Sequence, residues 1–83
     1  MRIQVRYFAS LRESLGAGES VDAPAGCTVG RLRDQLVERS ERHAQALARG
    51  RAVRCALDQT MADDATPLRD GAELAFFPPV TGG

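Results

Sequence analysis

The residues with the clearest chemical potential are the last six, Pro78-Pro79-Val80-Thr81-Gly82-Gly83. Two prolines stiffen the base of this segment, whereas Gly82 and Gly83 leave its tip without side chains. A free α-carboxylate on Gly83, with a reference pKa of about 3.3–3.7, is ionised at pH 7 and weakly nucleophilic. Extended, the six residues reach about 20 Å, at roughly 3.3–3.6 Å per residue. The tip therefore suits a narrow channel in another protein, where its carboxylate attacks the α-phosphate of ATP. On spacing alone, a disordered chain end is an equal alternative.

The interior of the sequence offers no comparable chemistry. His43 has no neighbouring nucleophile and is interpreted as a solvated histidine near a helix end. Cys27 and Cys55 lack the spacing of a zinc site and are interpreted as buried thiols of a reducing compartment, although one disulfide is arithmetically possible. Asp63 and Asp64 are typical of a solvated acidic loop. We therefore predict no metal site and no catalytic constellation within the chain.

Composition narrows the class of protein further. The chain has 83 residues, 43% hydrophobic and 27% charged, with zero formal net charge, which indicates one ordinary globular domain. The equal numbers of acidic and basic residues argue against binding to nucleic acid and against a polybasic membrane anchor. There is no lysine, so Schiff-base and phosphate-loop lysines are excluded. The first residues form no apolar signal core and no apolar run spans a bilayer, so we predict a cytoplasmic location.

Hydrophobic periodicity predicts the elements that position the tail. Alternating apolar residues indicate strands over 2–8, 19–23, 53–57 and 72–77, and Asp70-Gly71 indicates a turn. Thr28 is a predicted N-cap of an amphipathic helix, with polar residues such as Arg33 on its solvent side. Gly30 within this helix suggests close packing against the sheet. Residues 40–50 predict a frayed extension or second short helix, and 58–70 a loop with room for a short strand near Met61.

Strand parity also predicts a docking surface. Ile3, Val5, Tyr7, Leu74 and Phe76 share the face expected to pack on the helix. The opposite face then carries Phe8 and Phe77, and Met61 completes the patch. Exposed apolar residues that cluster usually bind a partner, so we predict that these three contact one. Packing of either phenylalanine beneath the 58–70 loop is the alternative.

Three stretches of the sequence resemble one known family. Residues 67–83, PLRDGAELAFFPPVTGG, closely resemble the C-terminus of the family of molybdopterin synthase small subunits. Residues 5–13, VRYFASLRE, resemble that family's first strand and turn, and Thr28-Val29 with Leu32 and Leu36 matches its helix. The resemblance departs at Asp58, where members often carry Asn, and at Ala72, where an acidic residue often stands.

The resemblance implies an α+β, β-grasp (ubiquitin-like) fold, in which one mixed sheet of four to five strands packs on one main helix. It implies a domain over 1–77 and a flexible Gly-Gly tail over 78–83. By the same resemblance, an E1-like enzyme adenylates the carboxylate of Gly83 with ATP, and a persulfide donor converts it to a thiocarboxylate. The tail, through Pro79, Val80, Thr81 and Gly82, then enters the large subunit of the synthase and gives its sulfur to cyclic pyranopterin monophosphate.

This chain is accordingly expected to be a non-catalytic sulfur carrier that binds no cofactor or metal, since the activating enzyme uses the ATP and the partners supply the catalytic side chains. Two sulfurs per dithiolene imply two loaded carriers and a heterotetrameric synthase. Three alternatives stay open. They are a carrier for thiamine or another sulfur-containing product, a protein modifier conjugated through Gly83 to lysines of its targets, and an adaptor domain with an inert tail.

Overall fold

The computed structural model describes residues 1–79, so four of the predicted tail residues, Val80 to Gly83, lie outside the described residues. The described part of the chain forms five strands and three helices. In chain order these are β1 (Arg2–Tyr7), α1 (Ser10–Leu15), β2 (Gly18–Asp22), α2 (Val29–Val37), α3 (Glu41–Leu47), β3 (Arg54–Leu57), β4 (Thr60–Ala62) and β5 (Glu73–Phe77).

The strands form one mixed sheet in the order β2-β1-β5-β3-β4. The central strands β1 and β5 run parallel, with Val5 opposite Leu74, whereas every other pair is antiparallel. The strands predicted over 2–8 and 19–23 form the antiparallel β1–β2 pair, and the short strand expected near Met61 is β4. The α+β, β-grasp fold predicted from the sequence is therefore confirmed.

One face of the sheet packs on the helices, as parity predicted. The helix α2 begins after Thr28, whose Oγ1 accepts a hydrogen bond from the Arg31 amide at 3.3 Å and so caps the first turn. Because apolar residues recur along one side of α2 and on alternate strand positions, they meet in a single core. This core buries Ile3, Val5, Tyr7, Leu74 and Phe76 of the sheet with Val29, Leu32 and Leu36 of the helix.

Residues 40–50 contain the separate helix α3, which Arg33 ties to α2. The guanidinium of Arg33 donates to the carbonyls of Leu47 at 2.6 Å, Ala48 at 2.9 Å and Arg51 at 3.2 Å. These carbonyls lie at and beyond the end of α3, where backbone acceptors lack helical partners. Arg33 is consequently buried, and its predicted position on the solvent side of α2 is wrong.

Gly30 packs closely, but against a loop rather than against the sheet. A Cβ at this position would lie 2.8 Å from Nη2 of Arg49 and 3.0 Å from the carbonyl oxygen of Asp64. Arg49 fills this space because its guanidinium binds Asp34 at 2.8 and 2.9 Å and Asp64 at 2.9 Å. The predicted contact with the sheet is therefore wrong, and Gly30 makes room for an ion-pair network instead.

The turn between β3 and β4 stores backbone strain at Gln59. Asp58 and Gln59 have φ values of 48° and 68°, in the left-handed region that favours Gly, Asn and Asp. Replacing Gln59 with Gly should therefore raise the free energy of unfolding by about 0.5–1 kcal/mol, measured by urea denaturation. Gly71→Ala, at a φ of 82°, is the control and should shift stability in the opposite direction. A loss of stability in Gln59→Gly would contradict this interpretation of the turn.

Candidate functional site

The sheet face opposite the core, here called the open face, carries an apolar patch. Pairing registers place Ala75 opposite Ala56 and Ala56 opposite Met61, while Phe77 lies on the same side two residues after Ala75. Phe8 follows β1 in the same alternation, and its amide donates to the carbonyl of Phe76 at 3.1 Å. We call Phe8, Ala56, Met61, Ala75 and Phe77 the open-face patch.

Two members of this patch are exposed although they are large and apolar. Within residues 1–79, the exposed large hydrophobic side chains are Phe8, 41% exposed, and Met61, 58% exposed. Phe77 is half-buried, and it is not among the side chains that pack against the core. Exposed apolar surface of this kind is typical of a contact with another protein. The structure thus places the three predicted docking residues on one face, and their docking role stays a prediction.

The tail begins beside this patch. The strand β5 ends at Phe77 because Pro78 and Pro79 have no amide proton to donate to a neighbouring strand. Pro79 is half-buried and is the last described residue. The residues outside the described range are Val80, Thr81, Gly82 and Gly83, so their roles in the tail stay predictions. The boundary between the domain and the tail, at 77/78, also stays a prediction.

His43 belongs to a polar network rather than to the solvent. Its side chain is only 13% exposed, and its Nε2 lies 2.8 Å from Oε2 of Glu19. The same Glu19 oxygen accepts the hydroxyl proton of Tyr7 at 2.7 Å, and Arg39 binds the other oxygen. Since a carboxylate only accepts hydrogen bonds, Nε2 of His43 carries a proton and donates it. The prediction that His43 is a solvated histidine is therefore wrong.

This network is structural, because each of its groups already has a partner within the fold. The hydroxyl of Ser40 lies 2.7 Å from Nδ1 of His43 and accepts the His43 amide at 3.1 Å, which caps α3. The carboxylate of Glu19 joins β2 to Arg39 after α2 and to His43 on α3. Sequence reasoning missed this site because Glu19 and His43 are far apart in the chain.

Glu19 should make the stability of the fold sensitive to acid. Burial raises the pKa of its carboxyl, but hydrogen bonds from His43, Tyr7 and Arg39 outweigh burial and hold that pKa below the ordinary value of 4.5. A depressed pKa stabilises the folded state above 4.5 and loses that contribution as the pH falls through the lower folded value. Glu19→Gln should therefore be less stable at pH 7 and should lose less stability on acidification, measured by urea denaturation across this range.

The matched control is Glu13→Gln, because Glu13 is exposed and takes part in none of the ion pairs among residues 1–79. Its acid-dependent loss of stability should follow that of the wild type. Parallel curves for Glu19→Gln and the wild type would rule out the role assigned to Glu19.

The remaining candidate groups of the sequence have simple surroundings. Cys27 and Cys55 are buried and free, and burial raises the pKa of the Cys55 thiol. Asp64 binds Arg49, so the prediction that it is a freely solvated acid is wrong.

Residues 1–79 contain no group of three or more His, Cys, Asp or Glu side chains that could hold a metal ion. In the same range, no helix is long and apolar enough to cross a membrane.

These features define a small β-grasp, ubiquitin-like domain with the open-face patch beside the start of its tail. The sequence model of the ThiS family matches residues 5–83. The chain therefore belongs to the ThiS family.

Comparison with individual proteins gives a consistent result. The chain is 43% identical over 81 residues to the molybdopterin synthase sulfur carrier subunit of Escherichia coli (strain K12), covering 98% of this chain and 99% of that protein. Among solved structures it resembles SAMP1 from Haloferax volcanii, with a TM-score of 0.79, 27% identity and full coverage of both chains. It also resembles a chain of the complex of subunits 1 and 2 of molybdopterin-converting factor from Helicobacter pylori 26695, with a TM-score of 0.71, 28% identity and full coverage of both.

Proposed function

We propose that this chain is the sulfur carrier subunit of a molybdopterin synthase. The observation that carries the proposal is the end-to-end similarity, at 43% identity, to a protein of that name. The similarity to a chain solved in a two-subunit converting-factor complex supports a large-subunit partner. The exposed open-face patch supports a carrier that works by docking.

The proposed chemistry takes place at the terminal carboxylate of Gly83. A carboxylate oxygen attacks the α-phosphorus of ATP on an E1-like activating enzyme, and pyrophosphate leaves. The resulting acyl adenylate is a good electrophile because AMP is a good leaving group. The outer sulfur of a persulfide donor then attacks the carbonyl carbon and displaces AMP, which leaves the chain joined to the donor through an acyl disulfide. A thiol attacks the donor sulfur of this S–S bond, a disulfide forms between the thiol and the donor, and the thiocarboxylate of Gly83 is released.

The loaded tail then delivers its sulfur to cyclic pyranopterin monophosphate in the large subunit. Each dithiolene needs two sulfurs, so two carriers act per product, consistent with a heterotetramer. In this mechanism the carrier contributes a rigid docking face and a narrow tail, while its partners contribute catalytic side chains, and the chain itself holds no cofactor or metal. We place this chemistry in the cytoplasm, where the reducing environment suits the free thiols Cys27 and Cys55.

Intact-mass spectrometry tests the proposal directly. The chain is incubated with ATP, the activating enzyme and a sulfur source, and its mass should change by the replacement of one oxygen with one sulfur. Addition of the large subunit and cyclic pyranopterin monophosphate should return the original mass as molybdopterin forms. Loading without sulfur transfer to this acceptor would instead favour a carrier for thiamine or another product.

A protein modifier is the second candidate function, favoured by the structural similarity to the small archaeal modifier protein 1 of H. volcanii. In this role Gly83 forms an isopeptide bond with a lysine of a target. Because this chain has no lysine, it cannot build lysine-linked chains on itself. Mass spectrometry of trypsin-digested cellular proteins separates the two functions. Because Arg69 is the last tryptic site of the chain, a modifier leaves residues 70–83 attached to a target lysine, whereas a carrier dedicated to sulfur transfer leaves none.

A further inference from the structure

A groove lies beside the base of the tail, between α1, α3 and the segment that precedes β3. Its lining includes the apolar residues Leu11, Ala46 and Val53, and Pro78 lies at its tail side. Arg42 and Arg51 also line the groove, together with the single carboxylate of Glu13. A partner that receives the tail must pass close to this groove.

The arginines around the tail base are not neutralised within the described fold. None of the eight ion pairs among residues 1–79 uses Arg42, Arg51 or Arg54. All three are exposed, and Arg54 lies directly opposite Phe77 in the sheet. We call Arg42, Arg51 and Arg54 the arginine collar. In contrast, the open-face arginines Arg2 and Arg6 pair with Asp22 and Glu73.

The shortness of the tail forces the collar close to the partner. Four residues follow Pro79, and even fully extended they span at most about 14 Å. For the Gly83 carboxylate to reach a reaction centre, the rim around the receiving channel must therefore contact the tail base. Uncompensated cations at such a contact are costly to desolvate unless the partner supplies anions.

We propose that the arginine collar binds Asp or Glu side chains on the rim of the large synthase subunit, with one carboxylate seated in the groove between Arg42 and Arg51. A planar guanidinium binds a carboxylate through two parallel hydrogen bonds, so it fixes orientation as well as position. The zero net charge of the whole chain gives no general attraction, so this local charge orients the encounter. This inference rests on the proposed function, because it takes the large subunit as the partner.

The test is the association rate of the carrier with the large subunit, measured by stopped-flow fluorescence over a range of salt concentrations. Arg51→Glu should lower the rate about ten-fold at low salt, and this difference should shrink as salt rises, because the Debye length falls below about 10 Å. Arg31→Glu is the matched control, since Arg31 is exposed on α2, is absent from the same eight ion pairs and makes the same charge change. It should alter the rate less than two-fold, roughly as expected for a remote charge.

Folding is not expected to confound this comparison, because the contact between Arg33 and Arg51 uses the backbone carbonyl of Arg51. Thermal melts of both variants check that each variant is folded. Replacing the partner's rim carboxylate with Arg should restore fast association to Arg51→Glu, which would support the proposal. Equal effects of Arg51→Glu and Arg31→Glu would overturn it while leaving the proposed function intact. A wild-type chain that does not bind the large subunit would overturn both.

Discussion

One extra glycine after Gly83 should abolish sulfur loading while leaving the fold unchanged. The variant still ends in a glycine carboxylate, but this group is displaced by about 3.3–3.6 Å along an extended tail. A displacement of even about 1 Å from productive geometry can cost about 100-fold in rate, so we expect a loss of at least that size. Deleting Gly83 should have the same effect. Intact-mass spectrometry after incubation with ATP, the activating enzyme and a sulfur source measures the loading.

The thermal melt of each tail variant is the control, because the tail follows the last strand and its two described residues, Pro78 and Pro79, are not among the core residues. Gly82→Val tests whether the tail must pass through a narrow channel, independently of the chemistry at the Gly83 carboxylate. It keeps the terminal carboxylate in place, yet its β-branched side chain resists a narrow passage and glycine-like dihedral angles. Turnover should stop in this variant as well. A glycine-extended chain that gained sulfur at the normal rate would contradict the assignment of Gly83, and normal turnover of Gly82→Val would contradict the channel.

The sheet and its main helix could be predicted because their signals are local. Alternation places Ile3, Val5 and Tyr7 on one face of β1, and burial of that face follows from the cost of exposing apolar surface. The same alternation assigns Phe8 and Phe77 to the opposite face, because each lies one residue beyond a buried position. The proposed role of the tail also comes from a local signal, the absence of side chains at Gly82 and Gly83.

Polar groups buried by distant partners could not be predicted. Arg33 has the helical spacing of a solvent-facing residue, but it is buried because the end of α3 offers three carbonyl acceptors. His43 has polar neighbours in sequence, but Glu19 on β2 binds it. In both cases the deciding contact joins elements whose relative position depends on the whole core. The arginine collar could not be predicted either, because only the packing of α3 beside the segment before β3 brings Arg42 to the same groove as Arg51.

Phe77→Ala should weaken binding to both the large subunit and the activating enzyme by about 1–3 kcal/mol. In the proposed function both partners receive the same tail from the same direction, so both should contact the open-face patch beside its base. Phe77 lies directly before Pro78 and opposite Arg54, which places it at the centre of any such contact. Because Phe77 does not pack against the core, truncating it should cost about 1 kcal/mol or less of fold stability. Calorimetry on each complex and thermal melts of the free variant measure the two effects.

Two comparison variants make this prediction specific. Phe76→Ala removes a neighbouring ring that is fully buried, so it should cost the fold about 3–5 kcal/mol. Gln4→Ala changes the same open face away from the patch and should leave both affinities unchanged. Shared use of one patch also makes the two complexes mutually exclusive, so the activating enzyme should compete with the large subunit for the wild-type carrier. Unchanged affinity of Phe77→Ala for both partners, or a ternary complex of all three proteins, would show that the open-face patch is not the shared docking surface.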